Sequence, residues 1–155
     1  MIRYTGDAVT FAEVPDEVSL CISISNCLGK CKGCHSPELR KNVGRNLEND
    51  IDYLLTKHED DATCVCLLGE GNDVDALVRV IARCKLFGFK VCLYSGRDVG
   101  PEEFAGLYYL DYLKIGSYKQ DLGALDSETT NQRMYKMDQG KVVEDITYKF
   151  RKKEM

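Results

Sequence analysis

The sequence has no long apolar run. Its longest stretch free of charged side chains covers residues 18–29, twelve positions, well short of the roughly 18 that a bilayer-spanning helix needs. No membrane association is expected. The N-terminus also lacks the apolar core of a secretory leader, because Arg3, Asp7 and Glu13 interrupt it, and a cytoplasmic protein is the expectation. Positive charge is not in excess: 21 Lys and Arg stand against 25 Asp and Glu, a formal net charge of −4 with both signs interspersed. A nucleic-acid partner, whose phosphates would need a net basic face, is therefore not expected; the short basic group Lys149, Arg151, Lys152 and Lys153 reads as a solvated tail. Cysteine is too sparse for a disulfide-stapled scaffold, with eight in 155 residues. In a reducing compartment, clustered thiols bind metal or do chemistry. What is present is 44% hydrophobic sequence, enough to give one compact domain over residues 1–155 a core of its own.

The apolar residues are periodic. Val18, Leu20, Ile22 and Ile24 alternate with Ser19, Cys21, Ser23 and Ser25, the period-two signature of a strand. Leu47, Ile51, Leu54, Leu55 and His58 fall at helical spacing, and a short apolar strand follows over 62–68. Asp73 is placed to cap a second helix with the stripe Val74, Leu77, Val78, Ile81 and Ala82, ending near Gly88. A strand over 90–94, a short helical turn opening at Pro101-Glu102-Glu103 and a strand over 112–115 complete the series. After residue 121 the pattern changes, and apolar runs at 134–137 and 142–146 flank the turn Asp138-Gln139-Gly140 as a terminal hairpin. Alternating strands and helices imply right-handed crossovers, so the expected fold class is α/β with a mostly parallel sheet and a C-terminal hairpin. Tyr108, Tyr109 and Tyr112 cluster before and into the fourth strand and read as packing residues.

In such architectures the loops at the C-terminal ends of the strands share one edge, where sites are built. The loop after the first strand is Asn26-Cys27-Leu28-Gly29-Lys30-Cys31-Lys32-Gly33-Cys34-His35; Gly69-Glu70-Gly71-Asn72-Asp73 follows the second, Ser95-Gly96-Arg97-Asp98 the third and Gly116-Ser117-Tyr118 the fourth. Cys21, Cys64, Cys66, Cys84 and Cys92 lie within apolar segments and read as small hydrophobes. Cys27, Cys31 and Cys34 differ, because their C-x3-C-x2-C spacing lies in a loop carrying Gly and Lys. Glycines let the backbone turn around a soft metal centre, and lysines lower thiol pKa. Iron–sulfur clusters usually take four protein thiolates, so three leave one iron open to a ligand that is not protein. Zinc with His35 as fourth ligand and incidental thiols are the other readings. Zinc fits less well, because adjacent Cys34 and His35 would both have to turn onto one ion.

The C-x3-C-x2-C loop directly after a first strand resembles the radical S-adenosylmethionine superfamily. Within it, Cys31-Lys32-Gly33-Cys34-His35-Ser36-Pro37, the segment 112–118 and Thr129-Thr130-Asn131-Gln132-Arg133 are similar to the activases of anaerobic (class III) ribonucleotide reductases, a likeness running from about residue 2 to 137. The resemblance implies that the sheet curls into a partial (β/α) barrel. It implies that Cys27, Cys31 and Cys34 bind a [4Fe-4S] cluster whose fourth iron is chelated by S-adenosyl-L-methionine. An electron from a low-potential donor such as flavodoxin or ferredoxin would then cleave the cofactor reductively. The resulting 5′-deoxyadenosyl radical would abstract a glycine hydrogen on the partner, the glycyl-radical loop of the reductase catalytic subunit. Gly69 and Glu70 fall on the family's Gly-Gly-acid segment that receives the methionine amino group; here Glu70 replaces the second glycine, and Gly71 takes the acidic place. Gly33 stands where many members carry an aromatic, leaving His35 as the nearest ring for the adenine. Ser95, Arg97 and Asp98 are placed to hydrogen-bond the cofactor's ribose or carboxylate, although Ser-Gly-Arg-Asp is also a good turn and cap sequence, and an inward Lys114 would need a partner such as that carboxylate. Activation of another glycyl-radical enzyme, or a non-catalytic zinc or electron-transfer module, are the alternatives.

Overall fold

The computed structural model describes residues 1–25 and 43–151. Among these, eight strands form one sheet: β1 (Arg3–Thr10), β2 (Ser19–Ile24), β3 (Arg45–Asn46), β4 (Cys64–Leu68), β5 (Lys90–Tyr94), β6 (Tyr112–Ile115), β7 (Arg133–Asp138) and β8 (Lys141–Asp145). Their spatial order is β3-β1-β2-β4-β5-β6-β7-β8. Two α-helices accompany them, α1 (Leu47–Lys57) and α2 (Val74–Leu86).

This corrects the expected mostly parallel sheet curled as a partial (β/α) barrel. The sheet is mixed. Pairings β2–β4, β4–β5 and β5–β6 are parallel, while β1–β2, β1–β3, β6–β7 and β7–β8 are antiparallel. The reason lies in the connections, since a parallel return needs a long crossover whereas an antiparallel neighbour does not. Eight residues join β1 to β2, and no helix separates β6 from β7, so both flanks run against the centre. The β7–β8 hairpin turns through Gln139 and Gly140, both at positive φ (52° and 80°), the backbone demanded by a two-residue turn of matching twist.

Strand β1 was not expected. Its sequence Arg-Tyr-Thr-Gly-Asp-Ala-Val-Thr has little alternation, and only Tyr4 within it is buried. It forms because Asp7, Ala8, Val9 and Thr10 pair with Ile22, Cys21, Leu20 and Ser19.

Helix α1 begins at Asn46, whose side chain accepts from the Glu48 N–H, and buries Leu47, Ile51, Leu54 and Leu55. Helix α2 begins at Asp73, which accepts from the Ala76 N–H at 3.1 Å. Its buried face is Ala76, Leu77, Val80, Ile81 and Cys84, rotated from the expected stripe, and Val74 is 67% exposed. That rotation aims Arg79 and Arg83 at α1, where they form paired hydrogen bonds with Glu48 and Asp52.

Both helices cover one face of the sheet, over an aliphatic core of Leu20, Ile22, Val65, Leu67, Val91, Leu93 and Leu113. The opposite face is chemically different. Its cross-strand rows run Ser19-Cys64-Lys90, then Cys21-Cys66-Cys92-Tyr112, then Ser23-Leu68-Tyr94-Lys114. Val14, Leu125, Ile146 and Phe150 pack against this face. Contact with the Cys66 thiol and burial hold the Cys21 thiol far above its ordinary pKa. Burial does the same for Cys64, Cys66 and Cys92, and pushes Cys84 up to about 12. These five are protonated packing thiols. Of the tyrosine cluster only Tyr112 packs inside; Tyr108 and Tyr109 meet edge to face on the surface.

Candidate functional site

The C-terminal ends of β2, β4, β5 and β6 lie side by side, so the segments after Ile24, Leu68, Tyr94 and Ile115 share one edge. The readings placed on Cys27, Cys31, Gly33, Cys34 and His35 lie outside the described residues. Among the described residues, no group of three or more His, Cys, Asp or Glu side chains is arranged to hold a metal ion.

The loop after β4 passes close under β2. Gly69 has φ +124°, and a Cβ there would lie 3.1 Å from the Ile24 carbonyl oxygen and 3.3 Å from the Ile24 Cβ, so the turn requires glycine. Its N–H donates to the Tyr94 carbonyl at 3.1 Å. Gly71 follows at φ +67°, and the two glycines deliver Glu70 toward the loop after β5. There Ser95 Oγ donates to Glu70 Oε2, and Arg97 closes a fork on the same carboxylate, Nε to Oε2 at 3.0 Å and Nη2 to Oε1 at 2.9 Å. The Arg97 guanidinium also lies 4.6 Å from the Phe104 ring centroid. Glu70 and Ser95, both expected to face a cofactor, thus bond each other, and Arg97 is the cation that joins them.

Lys114 points inward and is 8% exposed. Its Nζ donates to the Gly116 carbonyl at 2.9 Å and to the Ser95 carbonyl at 3.4 Å, and lies 5.5 Å from the Tyr94 ring centroid. Carbonyl dipoles and a ring face both stabilise an ammonium.

A second cluster joins Asp98, read from the sequence as a ribose- or carboxylate-bonding candidate, to Ser117 and Asn131, which had no role assigned from the sequence. Asp98 accepts from the Ser117 N–H at 2.8 Å and from Ser117 Oγ at 2.7 Å. The backbone N–H of Ser117, aided by its hydroxyl and by Lys119 and Lys114, holds the Asp98 carboxyl below its ordinary pKa against the opposing effect of burial. Asn131 Nδ2 donates to the Ser117 carbonyl at 3.0 Å, and Gln132 Nε2 to the Gly116 carbonyl at 3.3 Å. Asn131 Oδ1 is enclosed, and no described residue offers it a donor. The signal available in the sequence was the polar run Thr129-Thr130-Asn131-Gln132 just before an apolar strand, where packing alone calls for no such residues.

On the thiol-lined face, a cavity of about 430 Å³ opens between β1 and β2, bordered by Gly6, Thr10, Glu13, Cys21, Ser23 and Leu68. That volume is of small-molecule size. It reaches Ser23 and Leu68, one residue short of the edge. No described helix is long and apolar enough to cross a membrane. Compared with known proteins, the chain matches no protein-family model and no curated protein.

Proposed function

We propose that the protein is a radical S-adenosylmethionine activase that installs a glycyl radical on an anaerobic ribonucleotide reductase. The observation that supports this reading is one of position: Ser25 lies on β2's side of the sheet edge where Lys114 and the loops carrying Gly69, Glu70, Ser95 and Asn131 meet, and in sequence the C-x3-C-x2-C motif begins two residues later. The mixed sheet does not weaken it, because the reading needs only the four parallel strands whose ends form that edge.

The residues present suit the cofactor. Cys27, Cys31 and Cys34 would hold a [4Fe-4S] cluster, a soft three-thiolate donor set that leaves one iron for a ligand outside the protein. Lys114, buried against carbonyls, suits a carboxylate, and Asn131 Oδ1 lacks a donor that a ligand can bring. When bound, cluster and S-adenosylmethionine supply a one-electron cleavage that yields a carbon radical able to take a glycine hydrogen. The chain's own part is positional. Lys114 orients the ligand's anionic end, the Glu70–Arg97 fork keeps the loops after β4 and β5 in register, and the Gly69 turn brings backbone close to the ligand. Arg97 and Asp98 remain partly exposed at the rim, which suits a partner's glycyl loop completing the enclosure. A reducing cytoplasm and a low-potential flavodoxin or ferredoxin donor fit such chemistry.

Anaerobic reconstitution with iron and sulfide tests the reading. The expected result is a visible iron–sulfur absorption that changes when S-adenosylmethionine is added, followed by a glycyl radical signal on incubation with reductant and an anaerobic reductase. A colourless protein that retains a single zinc would overturn it. Cleavage of the cofactor with a radical appearing only on a different glycyl-radical enzyme would reassign the partner.

A further inference from the structure

The Asn131 side chain can be oriented with certainty from its neighbours. Its Nδ2 faces the Ser117 carbonyl at 3.0 Å and the Asp98 carboxylate at 3.4 Å. Reversing the amide would turn its oxygen onto a carbonyl and a carboxylate, so the donor end is locked and Oδ1 must lie on the other side. There it is enclosed, and among the described residues nothing donates to it. Buried acceptors without a donor are rare, and each asks what it is for.

The surroundings indicate the polarity of the missing group. Gly116 has φ +108°, and a Cβ at that position would lie 3.0 Å from Gln132 Cα and 3.4 Å from Asn131 Nδ2. The close passage of residues 131–132 over the end of β6 therefore depends on a glycine. Asp98, whose carboxylate adjoins the Asn131 amide, is a further acceptor. Asp98 and Asn131 thus set two acceptor groups side by side. Lys114 Nζ donates to the Gly116 carbonyl at 2.9 Å. An anionic ligand group is repelled at Asn131, and a hydroxyl is accepted there.

We infer that Asn131 is a ligand-binding residue whose Oδ1 accepts a hydrogen bond from a ribose hydroxyl of the nucleoside cofactor. This rests on the function proposed above, and it assigns a role to a residue of the 129–133 segment, which the resemblance includes without giving it one.

The experiment is a calorimetric titration of the anaerobically reconstituted protein with S-adenosylhomocysteine and with its 2′-deoxy and 3′-deoxy forms, for wild type and Asn131→Ala. Wild type is expected to bind one deoxy form roughly tenfold more weakly than the parent compound, the size of one hydrogen bond to a buried acceptor. Asn131→Ala is expected to bind the parent roughly tenfold more weakly and to treat that deoxy form and the parent alike. Equal weakening across all three compounds would mean a purely structural role and overturn the inference, as would no change for any. If Asn131→Ala does not fold, the wild-type series still decides, because equal affinity for all three compounds refutes a hydroxyl contact. Failure of wild type to bind any of them would bring down the activase reading itself, which is a different outcome from parent binding without discrimination.

Discussion

At the N-terminal ends of the parallel strands the buried charge is an anion with every need met. Glu17 accepts from Tyr112 Oη at 2.6 Å, from Thr63 Oγ1 at 2.7 Å and from Lys90 Nζ at 3.1 Å, and its side chain is 5% exposed. At the C-terminal ends the buried charge is a cation, Lys114, whose Nζ donates to two carbonyls; the same edge holds the Asn131 amide oxygen, to which no described residue donates, and loops that turn through Gly69, Gly71 and Gly116 at positive φ. One end ties β2, β4, β5 and β6 together; the other gathers glycine turns and polar side chains. On the function proposed above, the first end serves stability and the second binding, so removing Glu17 should leave binding intact.

The largest effect expected belongs to the binding end. Cys27→Ala should abolish the visible iron–sulfur absorption after reconstitution while the far-ultraviolet dichroism stays that of wild type; retention of full absorption would break the comparison. Next comes Glu17→Ala, which strips a buried anion from two hydroxyls and an ammonium. It should cost about 3 kcal/mol in denaturant unfolding, with affinity for S-adenosylhomocysteine unchanged. Gly116→Ala should cost about 2 kcal/mol, because the new Cβ meets Gln132 Cα at 3.0 Å in a backbone region that disfavours side chains. Unlike Glu17→Ala, it should also weaken ligand binding, since the displaced segment carries Asn131.

Acid sharpens the contrast further. Burial works to raise the Glu17 pKa, but hydrogen bonds from Tyr112, Thr63 and Lys90 outweigh it and hold the carboxyl below its ordinary 4.5. The stability that Glu17 contributes is therefore complete above about pH 4.5 and is lost as pH falls through the lower folded value. Glu17→Gln should flatten this part of the acid limb in pH-dependent unfolding; an unchanged limb would remove Glu17 from the account. The smallest stability effect is expected for Lys114→Met, which replaces a buried cation by an apolar chain of similar length. Unfolding free energy should move by about 1 kcal/mol or less, while affinity for S-adenosylhomocysteine falls roughly tenfold or more. A large loss of stability with affinity intact would make Lys114 a structural residue.

Much of the scaffold could be read from residue order. Alternation at 18–25, the cap at Asp73, and the helical spacing of Leu47, Ile51, Leu54 and Leu55 are local signals, and local hydrogen bonding and burial answer them; the Asn46 cap was not read from the sequence. Strand β1 escaped because its partner, not its own pattern, makes it a strand. The face of α2 was misjudged because Val74 and Val78 are apolar yet flank the contact, while Val80 and Cys84 occupy it. The mixed sheet was missed because strand direction depends on how the chain returns, which apolar periodicity does not encode.

The same division holds at the site. Glycines and polar residues could be assigned to one sheet edge from their place after each strand. The partnership of Glu70 with Arg97 and Ser95, and that of Asn131 with Asp98 and Ser117, could not. Residue order settled which chemistry the chain carries, three clustered cysteines and a set of glycine-bearing loops, because composition and short-range spacing are properties of the chain alone. Folding settled which groups meet, which charge is buried and which acceptor no described residue serves, because those depend on contacts between residues 14 to 33 positions apart that exist only when strands pair and loops converge.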